Sequence, residues 1–283
     1  MLLRVQAGPY TIRGVSVGGL YTSLQVPELG VLLDVGIAPR SCTGEKHLFI
    51  THGHADHLGA LFALLGAREL NRLPPVRLYV PADTLDDVTA ALDALGHLQG
   101  FRLEADAIAV KPGAEFELRQ DLAVRALEAD HVVPTLAYQF FKRVKKLRPE
   151  YAHLPGSEIG RLRLAGEADL FDETEHLELA YVTDTLLSVV DQHPSLLRTR
   201  VLILECTFLD DRKSIETSRK SKHVHLDELI EKASLFENEA VVLVHFSQLY
   251  SPAEVHSILK RRCPPRLWER VVVFAPQRGS WPG

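Results

Sequence analysis

The chain is poor in sulfur-containing residues and has no long hydrophobic run. Its three cysteines, Cys42, Cys206 and Cys263, lie far apart and form no Cys-x-x-Cys pair, so neither a disulfide framework nor a thiolate zinc site is expected. No apolar stretch approaches the ~20 residues that a membrane helix needs, and the first ten residues lack the apolar segment of a signal peptide. We therefore expect a cytoplasmic protein that does not enter a membrane.

The sequence also lacks an excess of positive charge. Its formal net charge is −5, which argues against a protein that coats nucleic acid through bulk electrostatics. We find no internal repeat, low-complexity tract or long linker. The 283 residues are 46% hydrophobic, enough to bury a large core, and we predict one domain over residues 1–283.

Short β-rich runs alternate with amphipathic helical segments, which predicts a mixed α and β fold. The predicted strands are 31–33, 47–50, 122–127, 177–182, 201–204, 241–244 and 271–274, and the predicted helices are 60–70, 84–95, 225–236 and 252–262. Residues 139–170 differ, because they show little strand pattern and carry five basic residues with no acid between them. We predict an exposed loop or short helix there, which could serve as a substrate-contacting loop or lid.

Ionisable side chains directly follow several of the predicted strands. The six positions are Asp34, His52, His131, Asp184, Glu205 and His245. If the strands are packed in order, these residues gather along one edge of the sheets, where loops on a rigid scaffold build functional sites. Core packing alone does not predict this regularity.

One segment concentrates metal-ligating side chains. Three histidines and one aspartate lie within six residues, in the run Thr51-His52-Gly53-His54-Ala55-Asp56-His57. Residues two apart in an extended segment project to the same side, so His52 and His54 can share one ion while Asp56 and His57 face another. Imidazole and carboxylate ligands suit zinc, and they also accept manganese or iron.

These residues resemble the signature of the metallo-β-lactamase superfamily, His-x-His-x-Asp-His, followed by a histidine, an aspartate and a histidine at later strand ends. The resemblance spans most of the chain and implies an α/β fold of the αββα sandwich type, with two mixed sheets inside and helices outside. It assigns one zinc to His52, His54 and His131, a second zinc to Asp56, His57 and His245, and a bridging position to Asp184. Asp34 would support the histidine segment from behind.

The later motifs look most like those of ribonuclease Z. Leu204-Glu205-Cys206-Thr207-Phe208 resembles its Glu-Ala-Thr-Phe segment, and residues 245–250 resemble its His-Phe-Ser-x-Arg-Tyr. The resemblance implies that Asp56 orients or deprotonates the attacking water, and that His225, backed by Glu205, protonates the leaving group. His223 is the alternative match for that histidine. Ser247 and Tyr250 are candidate substrate contacts.

Two departures put a transfer RNA substrate in question. Leu249 replaces the arginine of the last motif, and residues 224–227 replace the usual Gly-His-Ser-Thr. The spacing of 53 residues from His131 to Asp184 is also short for the protruding arm of ribonuclease Z. The basic residues of that interval are candidate phosphate contacts or a solvated loop face: Lys142, Arg143, Lys145 and Lys146.

We therefore expect a two-zinc phosphodiesterase that acts on an RNA 3′ end or a smaller phosphodiester. One alternative is a hydrolase of lactones, carboxylic esters or sulfate esters, since the same metal pair attacks many electrophiles. Another is a nucleic-acid-binding protein without turnover, which the full ligand set disfavours. Members of the superfamily are often homodimers, and a homodimer is an expectation here.

Overall fold

The computed structural model describes residues 2–166 and 169–282. The first sheet has the strand order β1-β2-β3-β4-β5-β6-β7, with the short strand β14 pairing with β2. Neighbours are antiparallel from β1 to β4 and parallel from β4 to β7. The strands are β1 (Leu3–Ala7), β2 (Tyr10–Gly18), β3 (Tyr21–Val26), β4 (Val31–Leu33), β5 (His47–Phe49), β6 (Val76–Pro81), β7 (Ala105–Val110) and β14 (Phe246–Ser247).

The second sheet has the order β15-β13-β12-β11-β10-β9-β8. It is antiparallel from β8 to β11 and parallel from β11 through β12 and β13 to β15. Its strands are β8 (Glu115–Arg119), β9 (Leu122–Ala129), β10 (Thr135–Leu147), β11 (Phe171–Val182), β12 (Val201–Glu205), β13 (Ala240–Val244) and β15 (Val271–Val273). Both sheets are mixed, as the resemblance implies.

Except for one, which lies between the antiparallel strands β10 and β11, the described helices lie between parallel strands along the chain. They are α1 (Ala55–Leu58), α2 (Leu61–Leu70), α3 (Leu85–Gln99), α4 (Gly156–Ala165), α5 (Val189–Gln192), α6 (Ile215–Lys220), α7 (Leu226–Glu231), α8 (Pro252–Arg262) and α9 (Pro265–Trp268). Short 3₁₀ turns cover Arg40–Cys42, Ala82–Thr84, Pro149–Tyr151, Pro194–Arg198 and Ala233–Leu235. Among the described residues, no helix has both the length and the apolar character needed to cross a bilayer.

The two sheets pack face to face, and helices cover their outer faces. Side chains alternate between the two faces of a strand, so Val242 and Val244 enter the core between the sheets while Val241 and Leu243 pack outward against helices. A third core lies between the first sheet and the helices α1 to α3. This layering confirms the αββα sandwich and explains why strands β12 and β13 are continuous apolar runs.

The expected loop at 139–147 is wrong, because these residues belong to strand β10. That strand pairs with β9 as far as Lys142 and with β11 as far as Leu147, so its outer part and β11 form a hairpin beyond β9. The helix α4 lies between the two strands along the chain. Residues 167 and 168 of the predicted lid lie outside the described residues.

Candidate metal centre

The segment after β5 brings its ligands into a buried turn. His52 is buried next to the strand end, His54 precedes α1, and Asp56 and His57 lie within that helix. The backbone N–H of Gly19, in the turn between β2 and β3, donates to Asp56 Oδ2 at 3.0 Å. The first sheet therefore holds four candidate ligands at one edge.

Ligands from the second sheet complete two groups. His131 follows β9, Asp184 follows β11 and His245 follows β13. The potential ligand atoms of each group lie within 4.8 Å of one another, and the groups are His52, His54, His131 and Asp184 on one side and Asp56, His57 and His245 on the other. The structure thus brings together all seven residues that the resemblance assigned to metal.

Asp184 presents one oxygen to each group. Its Oδ1 lies 3.3 Å from Nε2 of both His57 and His245, and its Oδ2 lies 3.7 Å from His52 Nε2 and 3.8 Å from His131 Nε2. Burial alone would raise the pKa of Asp184, but the surrounding imidazoles of His245 and His57 hold it well below its usual value. This carboxylate is ionised and placed between the two groups.

The side chains fit metal ions in their spacing and in their unpaired atoms. Nε2 of His57 and His245 are 3.3 Å apart, and His131 Nε2 is 3.4 Å from His54 Nδ1. Two nitrogens bound at ~2.0–2.1 Å to one tetrahedral zinc lie about 3.3–3.4 Å apart. His52 Nε2 is buried and, among the described residues, has no hydrogen-bond partner.

Hydrogen bonds to a neighbouring carboxylate and a backbone carbonyl orient two of the candidate ligands. His57 Nδ1 donates to Asp34 Oδ2 at 2.8 Å, and His131 Nδ1 donates to the backbone carbonyl of Lys222 at 3.2 Å. Burial and the neighbouring His57 lower the pKa of His52 to about 2, so its imidazole is neutral. Neutral imidazole with an anchored second nitrogen is the form in which histidine binds metals.

Backbone strain collects at this edge. Five described non-glycine residues have positive φ, and four of them are at the site or beside it: Asp34 (57°), Asp184 (45°), Lys222 (58°) and His245 (61°). A left-handed conformation costs an L-residue ~1–2 kcal/mol. Strained backbone of this kind often accompanies function.

The expected pairing of Glu205 with His225 is wrong, and His223 takes that place. Glu205 Oε1 is 3.1 Å from His223 Nδ1, and the His223 ring lies 5.3 Å from that of His131 and 5.5 Å from that of His245, centre to centre. His225 is buried at the start of α7, where its Nδ1 accepts from the Asp227 N–H and its Nε2 donates to the Asp210 carbonyl. His225 is therefore bound into the scaffold.

The basic residues are not brought to the metal centre. Lys142 lies about 24 Å along strand β10 from Thr135, which is at the site's edge. Acidic neighbours pair with three of them: Lys142 with Glu178, Arg143 with Glu115, and Lys145 with Glu173. Contact of these residues, and of Lys146, with phosphates of a substrate stays a prediction, and such a substrate would have to extend along the hairpin to reach them.

Tyr250 and Ser247, the two candidate substrate contacts in the motif of residues 245–250, differ in exposure. Tyr250 is fully buried; its hydroxyl accepts from the Leu209 N–H at 2.9 Å, and the Arg212 guanidinium stacks on its ring. Burial explains why its assignment as a substrate contact is wrong. Ser247 is partly exposed two residues after His245, and its contact with substrate stays a prediction.

Comparison with known proteins places this geometry in a family. Residues 36–246 match the model described as "Beta-lactamase superfamily domain". A tRNase Z of Arabidopsis thaliana (TRZ1) is 34% identical over 263 residues, covering 92% of this chain and 94% of the relative. The chain belongs to the ribonuclease Z family. A chloroplastic Arabidopsis thaliana tRNase Z (TRZ2) is 35% identical over 259 residues, covering 90% and 73%, respectively.

The fold of this ribonuclease Z family member also matches solved structures. Human tRNase Z, short form, superposes with a TM-score of 0.56 at 17% identity, covering 83% of this chain and 92% of the human one. Membership confirms that the chain is a hydrolase of the metallo-β-lactamase superfamily.

The position of His223 changes which residues of this chain correspond to the Gly-His-Ser-Thr motif of ribonuclease Z. With His223 at the motif's histidine, Lys222 stands at the glycine and His225 at the threonine. The left-handed backbone of Lys222 is a conformation that glycine adopts without cost. His225 caps the N-terminus of α7, as a threonine hydroxyl would, because its ring nitrogen accepts a hydrogen bond from a backbone N–H of the first turn.

Replacing His225 tests this structural role. We expect His225→Ala to lower the free energy of unfolding by ~1 kcal/mol, through loss of the helix cap, and to leave hydrolysis within about twofold of wild type. His225→Asn, which restores a capping oxygen, should recover most of the stability. Urea unfolding and steady-state kinetics measure both quantities. A hundredfold loss of kcat in His225→Ala at unchanged stability would contradict the assignment.

Proposed function

We propose that this protein is a two-zinc endoribonuclease that hydrolyses a phosphodiester near the 3′ end of an RNA, with a precursor transfer RNA as the leading candidate. The observation that carries the proposal is the pair formed by buried Glu205 and partly exposed His223, which lies beside the two groups of candidate metal ligands. The name tRNase Z of the relatives supports the substrate.

The residues that would hold the ions are those of the two groups. His52, His54 and His131 would hold one zinc and Asp56, His57 and His245 the other, with Asp184 between them. Zinc there would lower the pKa of a bound water and neutralise the phosphodiester under attack. Ligands of this type also accept manganese or iron.

Asp56 is held by the backbone of a neighbouring turn and lies beside two of the histidines. Its Oδ2 is fixed by the Gly19 N–H and lies 3.6 Å from Nε2 of both His57 and His245. Burial would raise the pKa of Asp56, but the neighbouring imidazoles of His245 and His57 lower it. The side chain is thus a carboxylate that orients the water and accepts its proton.

His223 supplies the proton to the leaving oxygen. Burial alone would lower the pKa of His223, but the charge and hydrogen bond of Glu205 outweigh it and raise that pKa to about 9. With Nδ1 held by Glu205, the opposite nitrogen faces the site. A protonated imidazole there donates to a departing alkoxide at neutral pH.

The proposal is tested with zinc-loaded protein on structured precursor RNA and on bis(p-nitrophenyl) phosphate. We expect endonucleolytic cleavage of the RNA with multiple turnover, together with hydrolysis of the small diester. Lys145→Ala/Lys146→Ala is the matched control, since both residues lie on the distal hairpin and should not affect the small diester. Cleavage of neither substrate would contradict the proposal, and preferential hydrolysis of lactones or aryl sulfates would replace it.

A further inference from the structure

Two buried threonines each stand between a candidate metal histidine and a buried carboxylate. Thr207 Oγ1 lies 3.1 Å from His245 Nδ1 and also hydrogen-bonds Glu205. Thr51 Oγ1 lies 3.0 Å from His52 Nδ1 and 2.9 Å from Asp34 Oδ2. The same arrangement therefore occurs once in each ligand group.

The carboxylates of Glu205 and Asp34 each accept hydrogen bonds from four donor groups. Glu205 accepts from the backbone N–H of Thr185 at 2.8 Å and of Val224 at 3.2 Å, and from His223 and Thr207. Asp34 likewise accepts from the Thr51 N–H, the Tyr181 hydroxyl, His57 and the Thr51 hydroxyl. With every partner donating, neither carboxyl group has room for a proton of its own.

This saturation fixes the direction of each hydrogen bond. A threonine hydroxyl has one proton, and here that proton must go to the carboxylate. The remaining lone pairs of Thr207 can only accept, so the proton between Thr207 and His245 sits on His245 Nδ1. The Nε2 atom of His245 is then unprotonated and carries a lone pair toward Asp184, and the same argument applies to Thr51 and His52.

We infer that Thr207 and Thr51 are positioning residues that set the tautomer of one metal-binding histidine in each group. Without the hydroxyl, His245 either buries an unpaired Nδ1–H or moves its proton to Nε2, where it blocks a metal. Thr207 also joins His245 to the Glu205–His223 pair, so the metal site and the proton donor share one hydrogen-bonded chain. The inference rests on the proposed function only in requiring that these groups bind metal.

The test is zinc affinity, measured without substrate by competition with a chromophoric chelator. Thr207→Val keeps the side-chain shape and removes the hydroxyl, and we expect one of the two zinc ions to bind ~10- to 100-fold more weakly. Thr207→Ser keeps the hydroxyl and should bind both ions within about threefold of wild type. Thr51→Val should weaken a zinc ion in the same way.

Two results would overturn the inference: wild-type zinc affinity in Thr207→Val, or an equal loss in Thr207→Ser. Melting curves of the metal-free variants separate a folding defect from a binding defect. A measurement without any variant is the ¹⁵N histidine spectrum of the zinc-loaded protein, which should show His245 protonated at Nδ1; an unprotonated Nδ1 contradicts the inference. Normal zinc binding without RNA cleavage would count against the proposed function alone.

Discussion

An Asp184→Ala variant is expected to lose at least about a thousandfold in kcat/KM on any phosphodiester, which corresponds to ~4 kcal/mol of transition-state stabilisation. The two oxygens of Asp184 face the two ligand groups, at 3.3 to 3.8 Å from the histidine nitrogens of those groups. Its removal would take a candidate ligand from both groups and leave several imidazoles without the anion between them.

Zinc content measured beside activity makes the Asp184 result decisive. We expect fewer than two zinc ions per chain in Asp184→Ala, at an unchanged far-ultraviolet circular dichroism spectrum. Asp93→Ala is the control, since Asp93 is exposed on helix α3 and away from the ligand groups. Full zinc content with more than a tenth of wild-type activity would show that Asp184 does not bridge the ions.

His223→Ala is expected to lower kcat on RNA by ~10²- to 10⁴-fold, the usual contribution of a general acid. The loss should be much smaller on bis(p-nitrophenyl) phosphate, because nitrophenolate leaves without needing a proton. Zinc content should stay at the wild-type level, since His223 is not among the seven residues assigned to zinc and its Nδ1 is hydrogen-bonded to Glu205. The comparison of the two substrates separates proton donation from a general disturbance of the site.

Two outcomes would contradict the role of His223. An equal loss on both substrates would mean that it stabilises the reacting phosphate instead of the leaving group. A loss of zinc would make it a ligand, which its proximity to Asp184 and His245 allows geometrically. His225→Ala is the matched control, because it removes a histidine two residues away that is bound into the scaffold.

The parallel strands β12 and β13 of the second sheet could be predicted because they are buried on both faces. Val201–Leu204 and Val241–Val244 are uninterrupted apolar runs, and a sheet covered by helices outside and a second sheet inside requires that pattern. Strand β10 escaped prediction because its outer half is polar. Its cross-strand partners are acidic, as in Lys145 opposite Glu173, so the strand is stabilised by pairs that the local sequence does not reveal.

The metal ligands could be predicted because they are tied to strand ends and to one dense local motif. The choice between His223 and His225 could not, since both lie in a turn without periodic pattern. What decides it is the left-handed backbone at Lys222, together with the hydrogen bond that His223 donates to Glu205, 18 residues away in the sequence. The hydrogen bonds of Glu205 with Thr207, Thr185 and Val224 likewise could not be predicted, because they depend on a fold that brings three separate loops together.

The left-handed backbones of Asp34, Asp184 and His245 imply that these positions support activity at a cost in the stability of the fold. Each position holds a side chain with a chemical task in a conformation that glycine would adopt with less strain. Substitution of glycine at Asp184 should therefore produce an inactive protein that resists heat as well as, or better than, the metal-free wild type.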